Sequence, residues 1–442
     1  MKFSINNEFK KMIILGIIPR ITLMPFTEHP FDMYAWYRSA KMILEEGLSL
    51  NNPAVIFRPV WFGILAIIAY IYSLISRNII KVKPIQVNDI SPLFNPHYNI
   101  KVIPDPLFIS LVKTPLVISD TISAWLLYSI VKNYYDDKVA KKAAMVFYFN
   151  PVLIWISAVW GQYESLLVLF SLLSILFYLK KKYFYSALSL LTASLLKIYT
   201  AILLLPILIS LAKKKQTNSL AVYIAVFLSP LAFCLITGKG YVIYSFIRNI
   251  CNLLFLPKTF YGKFGFGLTY WSLSLLYHID PYIGTMISLT VMIFLSLTFS
   301  YYIINKIDFK EELKDSALST FLLMSAVMLS YRIVAETRFV WIIPFLVILL
   351  TENVITKKIY NVLTFIAFMY TQKNFPYYLL PLMYMSPELL QPLFEATNFT
   401  RIVEGGAVMP TPISAITLAT LGSSFSATLS YICINIIKNI NK

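Results

Sequence analysis

Charge is what this chain has least of. Asp, Glu, Lys and Arg make up 13% of its 442 residues, against 58% hydrophobic side chains and a mean hydropathy of +0.70. No soluble domain of this length covers itself with so few charges, so the composition requires an all-α, polytopic membrane protein. Cysteine is scarce too: Cys234, Cys251 and Cys433 show neither paired nor metal-ligand spacing. The three histidines, His29, His97 and His278, are scattered, and HExxH and paired CxxC are missing, so nothing suggests zinc. Neither GxxxxGK[ST] nor GxGxxG occurs, which excludes an attached nucleotide fold. No repeat period and no low-complexity linker divide the chain, so one integral membrane domain suffices.

What is present is apolar, aromatic and basic. Tyr, Trp and Phe reach 16%, and Tyr and Trp favour the membrane–water interface. The net charge of +17 sits in short clusters between apolar runs, at 180–182, 213–215 and from Lys138 to Lys142. Anchorage and orientation account for it; a nucleic-acid partner does not. Lys2, Lys10 and Lys11 place the N-terminus in the cytoplasm. The first span, about 12–27, lacks a small-residue cleavage site and is retained. The basic loop 132–142 is then cytoplasmic only if one of the two following apolar runs crosses. The segment 107–131 is assigned to cross, and 61–75 to lie on the outer surface or partway in. Regular alternation follows through 143–160, 163–179, 183–196, 200–212, 220–236, 283–304, 316–330, 339–350, 359–370 and 413–437. The sum is about twelve spans with both termini cytoplasmic.

The stretch 27–59 is polar and aromatic, with Asp32 among Phe31, Met33, Tyr34, Trp36 and Tyr37. It leads into an amphipathic helix predicted over 34–47, with Trp36, Ala40, Ile43 and Leu44 on one stripe and Gly47 as its stop. On the expected topology one outer face gathers Glu28, Asp32, Arg58, Gln162, Glu164, Lys197, Tyr199, Arg332, Glu336 and Arg338. A carboxylate among cations suits a phosphate-linked substrate. The carboxylate takes a proton from an incoming hydroxyl while Lys and Arg hold the leaving phosphate. Each residue also has a plainer reading: Asp32 as an N-cap, Lys197 snorkelling, Gln162 and Glu164 ending helices, and Arg332 and Arg338 pairing with Glu336 at the surface. Asp120, expected mid-membrane, is either functional or bonded to a neighbouring helix.

Several short motifs carry a resemblance. Asp32-Met33-Tyr34 resembles the second half of a D-x-D-Y motif, with Pro30 in place of its first Asp. Gln162-Tyr163-Glu164-Ser165-Leu166 resembles an N-A-D-S-L turn. Lys197-Ile198-Tyr199 resembles the centre of M-K-I-Y-P, and Glu336-Thr337-Arg338-Phe339 resembles E-x-R-F. In that order they are similar to the C-type glycosyltransferases, and among these to the dolichyl-phosphate-mannose-dependent mannosyltransferases, including the enzyme adding the first mannose of GPI anchors and its archaeal relatives. The resemblance implies a GT-C fold: a transmembrane module over 1–240 with a large first outer loop, 28–106, holding juxtamembrane helices, then a variable module over 241–442.

It further implies transfer of a hexose, mannose in that family, from a polyprenyl- or dolichyl-phosphate donor to a glycan or glycolipid acceptor on the extracytoplasmic face. Asp32 would be the general base, and Lys197, Tyr199 and Arg332 or Arg338 would bind the donor phosphate. Glu28, Arg58, Gln162, Glu164 and Glu336 would position substrate. The resemblance assigns no cofactor outright, and Pro30 in place of the first Asp leaves a divalent metal as an open question. The membrane would be the cell membrane in a prokaryote, the endoplasmic reticulum in a eukaryote. Two other classes stay in view: a flippase or transporter, which should show a polar path and inverted repeats, and a non-catalytic subunit of a glycosylation complex.

Overall fold

The computed structural model describes residues 7–48, 55–56, 58–76, 85–86, 101–245, 247, 266–267, 269–270, 281–330, 333–334, 336–372, 377–385, 388 and 412–440. Among these the chain is helical apart from two pairings of two-residue strands, Ile85–Gln86 with Lys101–Val102 and Phe266–Gly267 with Ile333–Val334. Among the described residues six helices are long and apolar enough to cross a membrane, or seven if one bent pair counts as a single span, and four shorter apolar helices accompany them.

α1 (Asn7–Leu23) runs into a 3₁₀ turn, Met24–Phe26. α2 is Pro30–Glu46, beginning earlier than the apolar stripe suggests, because Pro30 supplies a preset φ at the first helical position. Asp32 therefore lies inside the first turn, where a carboxylate opposes the helix dipole, and His29 occupies the cap position. α3 (Pro59–Ser76) has the length and composition to cross. Yet near its start Trp61 stacks on Tyr163, and near its end Tyr72 donates to Asp105, the N-cap of α4 (Pro106–Lys132). Lys113 of α4 reaches the carbonyls of Ala158 and Val159, just before Tyr163, so both ends of α3 contact one end of the bundle.

The expected span 143–160 is instead two helices, α5 (Asp137–Tyr148) and α6 (Pro151–Trp160), bent by 48°. Asn150 and Pro151 cause the break: the Asn150 side chain accepts from Val152 and Leu153 N–H, and Pro151 starts the new helix. The latter part of α6, Trp155–Trp160, is wound as a π-helix. α7 (Glu164–Leu179), α8 (Tyr183–Leu196) and α9 (Ile198–Lys213) follow, α9 opening with a 3₁₀ turn through Leu203. Then come α10 (Thr217–Ile236), α11 (Pro281–Lys306), α12 (Glu312–Ser330), α13 (Phe339–Thr351), α14 (Lys357–Thr371), the short α15 (Leu380–Met385) and α16 (Pro412–Ile440).

The buried core is continuous from Met33 to Ile436. α13 is apolar all round and buried from Phe339 through Leu349, which puts it at the bundle centre. α1 turns Ile14, Leu15, Ile18 and Ile21 outward and Arg20 inward. There Arg20 Nε meets Asp120 Oδ2 at 3.1 Å, its other nitrogens donate to the Gly16 and Tyr148 carbonyls, and Ser157 donates to Asp120 at 2.6 Å. Asp120 thus makes the structural bond to a neighbouring helix, binding α1, α4 and α6 together.

Candidate functional site

Broken helices converge at one end of the bundle. The π turn of α6 shifts its hydrogen bonds by one residue, so that Gly161 N–H donates to Ile156 C=O at 3.0 Å and the Ala158 and Val159 carbonyls face sideways. Lys113 meets them. Its buried ammonium donates to Ala158 and Val159 O at 2.9 Å each, to Met24 O at 3.3 Å, and to Thr27 through both carbonyl and hydroxyl. Irregular backbone at this depth persists only when such acceptors are satisfied, and one lysine serves the ends of both α1 and α6. Gly161 completes the turn at φ +89°; a Cβ there would sit 3.1 Å from both Lys113 Cε and Met33 Cε.

This junction aims the segment before α2. Glu28 N–H donates to Tyr378 O and His29 N–H to Trp160 O. The Glu28 carboxyl is fully buried and accepts from Ile103 N–H at 3.0 Å. Burial pushes it up to about 8, although the Ile103 bond and the Lys113 ammonium pull the other way. Glu28 therefore holds the end of the first loop, a backbone-fixing place that differs from the substrate-positioning one expected of it. Asp32 is half-buried; Trp160 Nε1 donates to its Oδ2 at 2.6 Å and His29 Nδ1 lies 3.0 Å away. Its burial opposes ionisation, but His29 and hydrogen bonds from His29, Trp160 and Gln162 outweigh that and hold the carboxyl at about 2. A carboxylate held that low is a weak proton acceptor.

On the other side of Tyr163 lies a charged group. Glu164, wholly buried at the first position of α7, accepts from Lys197 at the α8–α9 junction. The Lys197 ammonium stands 4.6 Å from the Tyr163 ring centre and 6.0 Å from that of Tyr199. The Arg58 guanidinium lies 6.0 Å from the Tyr163 ring and that of Arg338 5.3 Å from the Tyr199 ring. Arg58, Glu164, Asp32 and Arg338 all act electrostatically on the Tyr163 hydroxyl, so the two halves of the site share that residue. Asp32, Gln162, Glu164, Lys197, Tyr199, Arg58 and Arg338 are therefore neighbours. Glu336 opens the 3₁₀ turn Glu336–Arg338 that carries Arg338, and Arg332 lies outside the described residues.

Among the described residues no three His, Cys, Asp or Glu side chains converge as a metal ion would need. The Asp32 oxygen that could lead such a set already faces N–H donors. Lys113, Tyr163, Trp160 and His29 were given no site role from the sequence, although Tyr163 lies inside the motif 162–166. The signal for Lys113 is a lone lysine inside an apolar run, which must find oxygen partners.

These features define a multi-pass helical membrane protein with a polar, cation-rich site where its helices break. The model of the family described as GPI transamidase subunit PIG-U matches residues 64–269, a little under half the chain. No curated protein matches it. The family match overturns the expectation of a polyprenyl-phosphate-sugar-dependent hexosyltransferase with Asp32 as general base, because the matched family is described as a transamidase subunit and not as a mannosyltransferase. The membrane-spanning character of that expectation stands; the transfer chemistry does not.

Proposed function

We propose that this chain is a non-catalytic, multi-pass subunit of a membrane complex that handles a lipid-linked glycan. The observation that carries the reading is the match of residues 64–269 to the GPI transamidase subunit family, a stretch that includes Gln162, Glu164, Lys197 and Tyr199. The geometry is in keeping with it. Lys197 is engaged by Glu164, and Asp32 is held ionised by its own neighbours, so neither is poised for proton transfer. Within the complex the subunit's share is to hold the anionic head of the lipid beside Lys197, Tyr199, Arg58 and Arg338, with Arg332 and Glu336 joining on sequence grounds alone.

The test is biochemical. The tagged chain, extracted in mild detergent, should bring further membrane subunits with it in fixed stoichiometry, and the chain by itself should show no sugar transfer. Hexose transfer from a dolichyl-phosphate donor by the isolated chain, or purification as a lone monomer under the mildest conditions, would overturn the reading.

A further inference from the structure

The break at Asn150-Pro151 leaves a groove at the opposite end of α6 from Tyr163. It lies between the α5–α6 bend and α14, holds about 530 Å³, and is lined by Met145, Phe149, Pro151, Asn361 and Thr364 with Asn150 at the back. α14 runs the same way as α5 and α6. Asn150 Nδ2 donates to the Tyr360 hydroxyl at 2.8 Å, and further along Trp155 meets Phe368 edge-on. The first turns of α5 and α14 therefore lie at one end, the end that its basic loops assign to the cytoplasm.

The lining changes character with depth. Lys142, Lys357 and Lys358 are exposed and precede Met145 and Asn361 by about one turn on their helices. Carboxylates at this end are engaged elsewhere, Asp137 by Lys132 and Lys141, and Glu8 by Lys141. Among the described residues these three lysines have no ion pair. Beside Met145 stands Asn361, whose side chain is exposed on the groove. Deeper in, Phe149 and Pro151 make an apolar wall. The polar floor is already satisfied: Asn150 Oδ1 accepts from Val152 and Leu153 N–H, and its Nδ2 is held by Tyr360.

The geometry points to a groove for one anionic glycerophospholipid of the leaflet at this end. Its phosphate meets Lys142, Lys357 and Lys358, whose flexible stems reach an anion at the interface. Asn361 donates to an ester carbonyl one step deeper, and an acyl chain fills the channel past Met145, Phe149 and Pro151. A transmembrane helix of another protein fits less well. Such contacts use small residues that let two backbones approach, whereas these walls are large, and its end would have to bring acids for three lysines. Recognition is by head-group charge, and no sugar is involved. The inference stands whether or not the chain works within a complex.

The experiment titrates the full chain in detergent with dioleoyl phosphatidylglycerol and dioleoyl phosphatidylcholine, followed by native mass spectrometry. The first phosphatidylglycerol should bind at least ~5-fold tighter than the first phosphatidylcholine. Lys142→Gln, Lys357→Gln and Lys358→Gln together should bring the two lipids within ~2-fold of each other. The same loss of charge on another loop, Lys180→Gln, Lys181→Gln and Lys182→Gln, should leave the preference intact. Asn361→Trp, at an exposed position, should fill the groove and remove the tight site for both lipids. Equal binding of the two lipids by the unsubstituted chain overturns the proposal even if a variant fails to fold, and so does equal loss of preference in both lysine triples. In native membranes a benzophenone attached to Asn361→Cys should add the mass of a phospholipid on illumination. An adduct with another protein gives the groove to a partner helix and overturns the proposal too.

Discussion

Glu28 and Asp32, four residues apart, are held in opposite protonation preferences by what surrounds them. Glu28 is enclosed with one backbone donor and an ammonium nearby, so burial dominates and raises its pKa from 4.5 to about 8. Asp32 is ringed by donors and drops from 3.8 to about 2. A group whose folded pKa is raised contributes stability in full below its unfolded pKa and loses it as pH rises through the folded one. The apparent Tm in detergent should therefore fall between about pH 5 and pH 8, and Glu28→Gln should flatten that slope. Asp32 has the reverse sign, and its contribution is lost only as pH falls from about 4 toward 2, so Asp32→Asn should leave the slope between pH 5 and pH 8 intact. A Tm that is level across this range in the unsubstituted chain would contradict the burial of Glu28.

At the scale of elements, the breaks in the helices place the site. The π turn of α6, the 3₁₀ turn opening α9 and the 3₁₀ turn before α13 each deliver one charged or aromatic group: Trp160, Tyr199 and Arg338. Gly161 is the narrowest point, because it needs both a left-handed backbone and close approach to Lys113. Gly161→Ala should cost about 1–3 kcal/mol through backbone strain and the clash with the lysine stem, measurable as a lowered unfolding midpoint. A midpoint equal to that of the unsubstituted chain would show that the turn can relax.

Much of this level was legible in the sequence. The runs predicted at 107–131, 220–236 and 413–437 lie within α4, α10 and α16, since hydropathy is a local property of consecutive residues. The bend at Asn150-Pro151 was passed over: the apolar run 143–160 reads as one span, and the cap-and-proline start of a second helix inside it carries less weight than continuous hydropathy. The π turn was not legible, because nothing in Trp155–Trp160 demands it except the carbonyls that Lys113 awaits from a distant helix.

At the scale of the whole molecule, burial separates central from peripheral helices. α12 is buried over 78% of its apolar window and α10 over 11%, so the rest of the chain leaves most of α10 uncovered. Lys141 Nζ pairs with Glu8 at 2.6 Å, fixing the start of α1 beside the start of α5. Trp61 and Tyr72 fix both ends of α3 at the opposite end of α4. Single cysteines at Arg38 and Ser76 should therefore react with an impermeant maleimide from one side of a sealed vesicle, and a cysteine at Lys141 from the other. Labelling of Ser76→Cys and Lys141→Cys from the same side would mean that α3 crosses.

The sequence by itself determined that this is a helical membrane protein, where most helices begin and end, and which few polar residues must find partners in an apolar interior. Those conclusions depend on transfer free energies and caps, which neighbours in the chain decide. Only the tertiary structure decided that Lys113 meets two broken helix ends, that Glu164 takes Lys197, and that Asp32 is surrounded by donors. Each of those bonds joins residues from separate helices, so their effect on proton affinity appears only once packing has excluded water from between them.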